Sequence, residues 1–358
     1  MCKTLLHPFL ESLPKCEHHL HIEGSLEPSL LFELAAKNNI VLPQDDEAFE
    51  SQDALQARYK RFTSLDDFLH YYYIGMSVLI TPEDFAQLAM EYFQKAAKTG
   101  VYHAEIFFDP QAHLERGVSY STLMEGFTTA RYRAQHELGM TTLLVSCFLR
   151  HLPPTNSISV FNQPDVLKSY RAGQVVGIGL DSSEKDFPPH LFKDLYAMAT
   201  TLKLRRTAHA GEEGPVEYIR DALESLGIDR IDHGLHLADD EELMALVAKR
   251  GTLLTLCPLS NVVLKCVETL SDVPIRKFLD AGVKFSINSD DPAYFGGNYI
   301  LDNYCAVQET FDLSIDEWKT ICRSGIEGSW CTTSRKAEMI GVLDDLVYNW
   351  RRKLRVSA

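Results

Sequence analysis

The segment Glu17-His18-His19-Leu20-His21-Ile22-Glu23-Gly24 places His19 and His21 at alternate positions, and residues i and i+2 of an extended chain project from one face. One metal ion can take both imidazoles from that spacing. Three more polar clusters follow much later, His209-Ala210-Gly211-Glu212, Asp232-His233-Gly234 and Asn288-Ser289-Asp290-Asp291-Pro292, each at or just beyond a short apolar run. Read together they describe a metal-hydrolase site. Taken singly, H-x-H also fits buried histidines satisfied by the backbone, and Asp290 fits a helix cap beside Asp291 and Pro292. In the constellation, His19, His21 and His209 offer three neutral imidazoles and Asp290 a carboxylate, a set that suits zinc and leaves room for a water. Glu212 sits in a glycine-flanked turn where a carboxylate can shuttle a proton. His233 is either a fourth imidazole ligand or a group that orients the water.

These clusters need elements that deliver them to one place. Short β-branched-rich runs alternate with helical stretches, the pattern of parallel strands joined by crossover helices. The runs are Cys16–Ile22, Val101–Phe108, Thr141–Leu149, Val175–Leu180, Leu204–His209, Arg230–His233, Leu253–Cys257 and Val283–Asn288. Eight such runs predict a (β/α)8 TIM barrel, in which catalytic groups gather at the C-terminal ends of the strands, where every cluster falls. His19 and His21 then face inward and His18 outward. Leu26–Gly100 is a helical insertion over the barrel mouth: Thr81-Pro82-Glu83-Asp84 opens a helix that Gly100 closes. A helix over Leu65–Ile74 puts Phe68 and Tyr72 on one face, a pair that reads as core packing before a pocket lid. Amphipathic stretches at Glu217–Leu226, Asp240–Arg250 and Pro274–Ala281 stop at Gly227, Gly251 and Gly282. Ser314–Leu354 adds C-terminal helices, and no linker or repeat divides residues 1–358, which read as one barrel domain.

Composition narrows the classes. Hydrophobic residues at 45% and charged ones at 24% are ordinary for a folded protein. A net charge of −15 opposes polyanion binding, and the basic run Arg351-Arg352-Lys353-Leu354-Arg355 reads as a solvated tail or last helix turn. No nucleic-acid or membrane partner is expected. No apolar stretch is long enough for a bilayer, and Met1-Cys2-Lys3-Thr4-Leu5-Leu6-His7-Pro8 is too short in its apolar part for a signal peptide. The eight cysteines lack a C-x-x-C pair, as expected where thiols stay reduced, and Cys147 and Cys257 read as small core residues. The expected location is the cytoplasm, with the nucleus left open.

At these residues the chain resembles the adenosine/adenine deaminase family of metal-dependent barrels, most closely its fungal adenine deaminase branch. The likeness runs nearly end to end, through Pro14-Lys15-Cys16-Glu17-His18-His19-Leu20-His21-Ile22-Glu23-Gly24-Ser25-Leu26-Glu27-Pro28, Phe107-Phe108-Asp109-Pro110-Gln111, Gly179-Leu180-Asp181-Ser182-Ser183-Glu184, His209-Ala210-Gly211-Glu212-Glu213-Gly214-Pro215 and Ser289-Asp290-Asp291-Pro292-Ala293-Tyr294-Phe295-Gly296-Gly297. The resemblance implies one zinc ion on His19, His21, His209 and Asp290, Glu212 as proton donor, His233 assisting the water and Asp291 contacting the purine by taking a hydrogen bond from N7. It implies hydrolysis of adenine to hypoxanthine and ammonia in purine salvage, with a nucleoside or an N6-modified 6-aminopurine as the alternative substrate. Two-metal relatives carry a carbamylated lysine where the fourth strand here ends Gly179-Leu180-Asp181-Ser182, which implies a single metal. The zinc deaminases built on H-x-E and P-C-x-x-C are excluded because the cysteine pair is missing. The acidic residue after H-x-H is Glu23 rather than the aspartate that helps hold ribose in adenosine deaminases, and Asp181-Ser182-Ser183-Glu184 replaces a small glycine-containing turn. Both features are expected to crowd a sugar and favour the free base. Nucleotides are disfavoured because Glu23, Glu212, Glu213 and Asp291 give the mouth acids with few cationic partners.

Overall fold

Eight parallel strands follow one another around a barrel in the order β1 to β8 in the computed structural model, which describes residues 4–357. They are β1 (Lys15–Glu17), β2 (Val101–Phe108), β3 (Thr141–Leu149), β4 (Gly177–Asp181), β5 (Arg205–Ala210), β6 (Arg230–His233), β7 (Leu253–Leu256) and β8 (Phe285–Ile287). The (β/α)8 expectation holds, and the bounds of β2, β3 and β6 are those of the apolar runs. All strand pairs are parallel. Strands packed on both faces need continuous apolar runs, and Leu144, Ile178, Ala208, Ile231, Leu254 and Ile287 are fully buried.

The first strand is shorter than its apolar run predicts. Regular pairing with β2 stops at Glu17, and on the edge facing β8 side chains take over the backbone's hydrogen-bonding positions. His18 N–H donates to the Asn288 side chain at 2.8 Å, and Ser289 N–H donates to Glu17 at 3.1 Å. The chain beyond stays extended and touches its neighbours at single bridges, Leu20 with Asp290 and His21 with Phe107. Those bridges close the barrel between β8 and β1, so residues of the polar clusters also form the seam.

The segment between β1 and β2 is helical as expected, with helices at Pro28–Asn38, Gln52–Tyr59, Leu65–Met76 and Pro82–Lys98. The last opens on a Thr81/Asp84 capping box. Gly100 behind it has φ +84°, and a Cβ there would meet the Glu11 carbonyl oxygen at 2.7 Å. The expected Glu217–Leu226 helix is two pieces, Val216–Asp221 followed by a wider turn, Ala222–Leu226, that Gly227 ends at φ +61°. Asp240 caps Glu241–Arg250, and Ile275–Asp280 follows β7. Helices Ile315–Gly328 and Thr333–Ser357 complete the chain, and the basic run lies in the final turns of the latter. No helix among the described residues is long and apolar enough to cross a membrane. Cys147 and Cys257 are buried and free as expected, whereas Cys2 lies outside the described residues.

Candidate metal centre and active site

Every sequence-predicted site residue reaches the same mouth of the barrel. His19 and His21 come from the extended chain after β1, His209 from β5, Glu212 from the turn after it, His233 from the end of β6, and Asp290 and Asp291 from the loop after β8. Two of these hold left-handed backbones without being glycine, His233 at φ 59° and Asp290 at φ 65°. Such conformations cost about 1–3 kcal/mol and persist where the surroundings dictate them. For Asp290 the surroundings are visible: its N–H donates to the His19 carbonyl and its own carbonyl accepts from His21 N–H, both at 3.1 Å. The two loops that carry these candidate ligands are thereby locked to each other.

His19, His21, His209 and Asp290 bring one side-chain atom each within 4.8 Å of one another, all buried. His19 Nε2 is 3.2 Å and His21 Nε2 3.6 Å from Asp290 Oδ1, and the Nε2 atoms of His21 and His209 are 3.3 Å apart. The tautomers follow from the outer contacts. His209 Nδ1 donates to the Leu180 carbonyl at 3.0 Å. His19 Nδ1 lies 2.9 Å from Thr255 Oγ1, which spends its own proton on Asp232 Oδ1 at 2.9 Å, so His19 must be the donor. Both rings therefore present Nε2 lone pairs inward. Despite its closeness to Asp290, His19 Nε2 has no aligned hydrogen bond. Convergent lone pairs, a carboxylate and an orphaned buried nitrogen are what a tetrahedral N/O cation site requires, and the donor set suits zinc. Cys257 also comes within range of His19, His233 and Asp290, and burial pushes its thiol well above the ordinary range.

The Thr255–Asp232 arrangement was not legible beforehand, since Thr255 sits in mid-run and announces nothing. Asp232 is fully buried and also accepts from Thr207 Oγ1 at 2.6 Å. Thr255→Val removes the acceptor behind His19 at nearly constant volume. Metal affinity should drop roughly 10- to 100-fold, as for other groups that orient a ligand, read by titrating the apo-protein against a competing chelator; wild-type affinity would refute the assignment.

Glu212 and His233 form the other half of the site. Glu212 Oε2 lies 3.4 Å from His233 Nε2, and Asn261 Nδ2 reaches Glu212 Oε1 at 3.3 Å and His233 Nδ1 at 3.1 Å. Burial first, then repulsion from Asp290, Glu184 and Glu213, raises the Glu212 carboxyl well above its ordinary value. Burial and the neighbouring His19 lower His233 to about 3, so that imidazole is neutral. Asp291 is raised well above the carboxylate range by burial and by Asp290 beside it, and its Oδ1 has no partner. A Cβ on Gly24 would lie 1.9 Å from that oxygen, so only glycine lets Asp291 stand there.

A narrow pocket opens above these groups, roofed by Leu65, Phe68, Leu69, Tyr72 and Tyr73 from helix Leu65–Met76 and walled by Asp109, Asp181, Ser182 and Leu264. Phe68 and Tyr72 thus pack in the core and also line the pocket, so both uses weighed for the pair are present. Of the two sugar-crowding expectations, the one on Glu23 does not hold, and the one on Asp181-Ser182-Ser183-Glu184 holds for Asp181 and Ser182, which line the pocket, but not for Glu184. Glu23 is fully buried away from the pocket, accepting from Asp109 N–H at 3.2 Å and touching His113 Nε2 at 2.9 Å. Glu184 turns its carboxylate onto the backbone N–H groups of Gly211, Glu212 and Gly214, each at 3.0 Å, and so holds the turn that carries Glu212. Glu213 is exposed and bonded to Ser183. Of the acids expected at the mouth, Glu212 and Asp291 line the pocket; Asp109 and Asp181 join them.

Residues 14–346 match the model of the adenosine deaminase family. The chain belongs to the adenosine deaminase family. Within it, the adenine deaminase of Aspergillus oryzae is 55% identical over 97% of this chain and 98% of its own length. Among solved structures, the adenine deaminase of Arthrobacter aurescens superposes with a TM-score of 0.88 at 40% identity, covering 95% of this chain and 99% of that one. A B. ambifaria amidohydrolase with bound Zn matches with a TM-score of 0.83 at 28% identity, covering 97% and 96%. Family membership and barrel geometry thus agree.

Proposed function

We propose that this protein, acting as one barrel unit over its whole length, is a zinc-dependent adenine deaminase that hydrolyses the free base to hypoxanthine and ammonia, a purine-salvage reaction. The observation that carries the reading is the convergence of the His19, His21, His209 and Asp290 donors beside a neutral imidazole and a protonated carboxyl in one buried pocket. Identity to adenine deaminases over nearly the full chain supports it. His19, His21, His209 and Asp290 would hold the ion, which when bound supplies a Lewis acid that acidifies water.

The remaining work falls to side chains. Glu212, kept protonated by burial, gives its proton to ring N1, which draws electrons from C6 and opens it to attack by water. His233 takes the proton of that water. Its Nε2 is free to do so when Nδ1 carries the hydrogen, and Asn261 with its amide oxygen toward them accepts from both His233 Nδ1–H and the Glu212 hydroxyl. Asn261 Oδ1 lacks a partner in the opposite orientation, and an amide is placed by its hydrogen bonds. The proton then passes to the exocyclic nitrogen, which leaves as ammonia, and the hydroxyl left on C6 returns its proton to Glu212 as the carbonyl forms. Asp291 orients the base at N7. In the common tautomer of adenine N7 carries a lone pair, so Asp291 donates there, the reverse of the direction the resemblance implied. The roof of Leu65, Phe68 and Tyr72 excludes water from the aromatic ring.

Ammonia release by the zinc-loaded protein with adenine, adenosine and N6-methyl-AMP side by side tests the proposal. Turnover of adenine well above the other two is the expected result. Equal or higher kcat/KM for adenosine or the nucleotide would keep the chemistry and discard the free-base assignment.

A further inference from the structure

We propose that Asp109 and Asp181 bind the N9–H edge of the base, and that this contact selects free adenine over purines substituted at N9. The inference rests on the reading of the site as an adenine deaminase. Asp109 directly follows β2 and Asp181 ends β4. His21, Asp109 and Asp181 bring side-chain atoms within 4.8 Å of one another, but the contact to His21 is through its other nitrogen: Nδ1 lies 3.5 Å from Asp181 Oδ2, whereas Nε2 faces His209 and Asp290. The two carboxyl groups therefore sit behind His21, on the side of the ring turned from the metal donors.

Both groups line the pocket and are 1–2% exposed, and Asp109 Oδ1 and Asp181 Oδ1 take no hydrogen bond from any other residue; the two carboxyl groups share one between themselves, Asp181 holding the proton and Asp109 accepting it. The second oxygen of Asp109 takes the Tyr72 hydroxyl at 3.3 Å. A buried acceptor left unmatched costs about 1–3 kcal/mol, more when charged, and in a carboxyl pair that shares one proton the ionised member, Asp109, is left to accept from a donor a ligand brings. Their place around the barrel says which. With C6 at the metal donors, N1 turns to Glu212 after β5 and N7 to Asp291 after β8. The N3–C4–N9 edge lies across the bicycle from C6 and is left facing the rim of β2 to β4. When N7 holds a lone pair the ring hydrogen is on N9, and a carboxylate accepts it. A nucleoside has no such hydrogen and would press a ribose carbon against both carboxyl groups. N7 presents the same lone pair in base and nucleoside, so Asp291 cannot tell them apart.

The test compares kcat/KM for adenine and 9-methyladenine in zinc-loaded wild type, Asp109→Ala, Asp109→Asn and Asp181→Asn, with calorimetric binding of hypoxanthine and 9-methylhypoxanthine as a second readout. A site built around an N–H rejects analogues lacking it by roughly 10⁴- to 10⁵-fold, and a preference for adenine of about 10³-fold or more is expected in wild type. Asp109→Ala should narrow that ratio at least tenfold, mainly by losing adenine turnover, and Asp109→Asn, which keeps an oxygen acceptor, should fall between. A purely structural role would lower both substrates alike, and an unchanged ratio at wild-type zinc content and melting temperature overturns the assignment. So would a second bound equivalent of zinc that Asp109→Ala abolishes. Wild-type inactivity on adenine would overturn the deaminase reading; the calorimetric preference between the two hypoxanthines still decides the carboxyl pair, because it needs no turnover.

Discussion

Asp290→Ala is expected to leave the protein folded but without stoichiometric zinc, and to cut kcat/KM for adenine at least about 10³-fold, several kcal/mol of lost transition-state stabilisation. Asp290 is the only anionic member of the proposed ligand set. Its carboxyl is drawn up by burial, but the imidazoles of His19, His233 and His21 outweigh that and hold it well below the ordinary range. The same attraction acts in reverse on His19: burial lowers it, yet the Asp290 carboxylate prevails and the net is upward. The pair is thus built to keep a positive charge between its members. Removing the carboxylate leaves three imidazoles at short range with nothing to offset the cation, while the backbone exchange between Asp290 and residues His19 and His21 survives in alanine. Zinc content by atomic emission and the melting temperature decide the matter. Full zinc occupancy with normal turnover would show that another group, with Cys257 the nearest candidate, completes the site.

Glu212→Gln is expected to do the complementary thing, keeping zinc and losing turnover by about 10²- to 10⁴-fold, the range for a removed general acid. The amide preserves size and the Asn261 contact but has no proton to give to N1. The pH profile supplies a second readout. Because burial and the nearby carboxylates raise Glu212, its acid form persists to higher pH than that of an ordinary carboxyl and is lost as pH rises through the elevated value, so kcat should decline on the alkaline side. In the glutamine variant the residual rate should show no such limb. Unimpaired turnover by Glu212→Gln would remove Glu212 from the chemistry, and lost zinc would make it a ligand rather than an acid.

The amino-acid sequence by itself determined the repeat of strands and helices, and with it the barrel, because period and punctuation are local properties. It also singled out the candidate site residues, since rare residue types at strand ends stand out against apolar runs: His19, His21, His209, Glu212, His233, Asp290 and Asp291 all arrive at one mouth of the barrel. Tertiary structure alone decided what lies behind and above them. Thr255 and Asn261 are ordinary in their surroundings, and only packing across the barrel brings them to His19 and His233. The side-chain bonds that replace strand bonds between β1 and β8 were invisible because the partners, His18 with Asn288 and Glu17 with Ser289, lie far apart in the chain. Glu23 and Glu184 misled for the same reason. A buried carboxylate must find donors, and whether they come from backbone N–H groups, as for Glu23 and Glu184, or from another carboxyl across the barrel, as for Asp109 beside Asp181, depends on partners a linear sequence does not place.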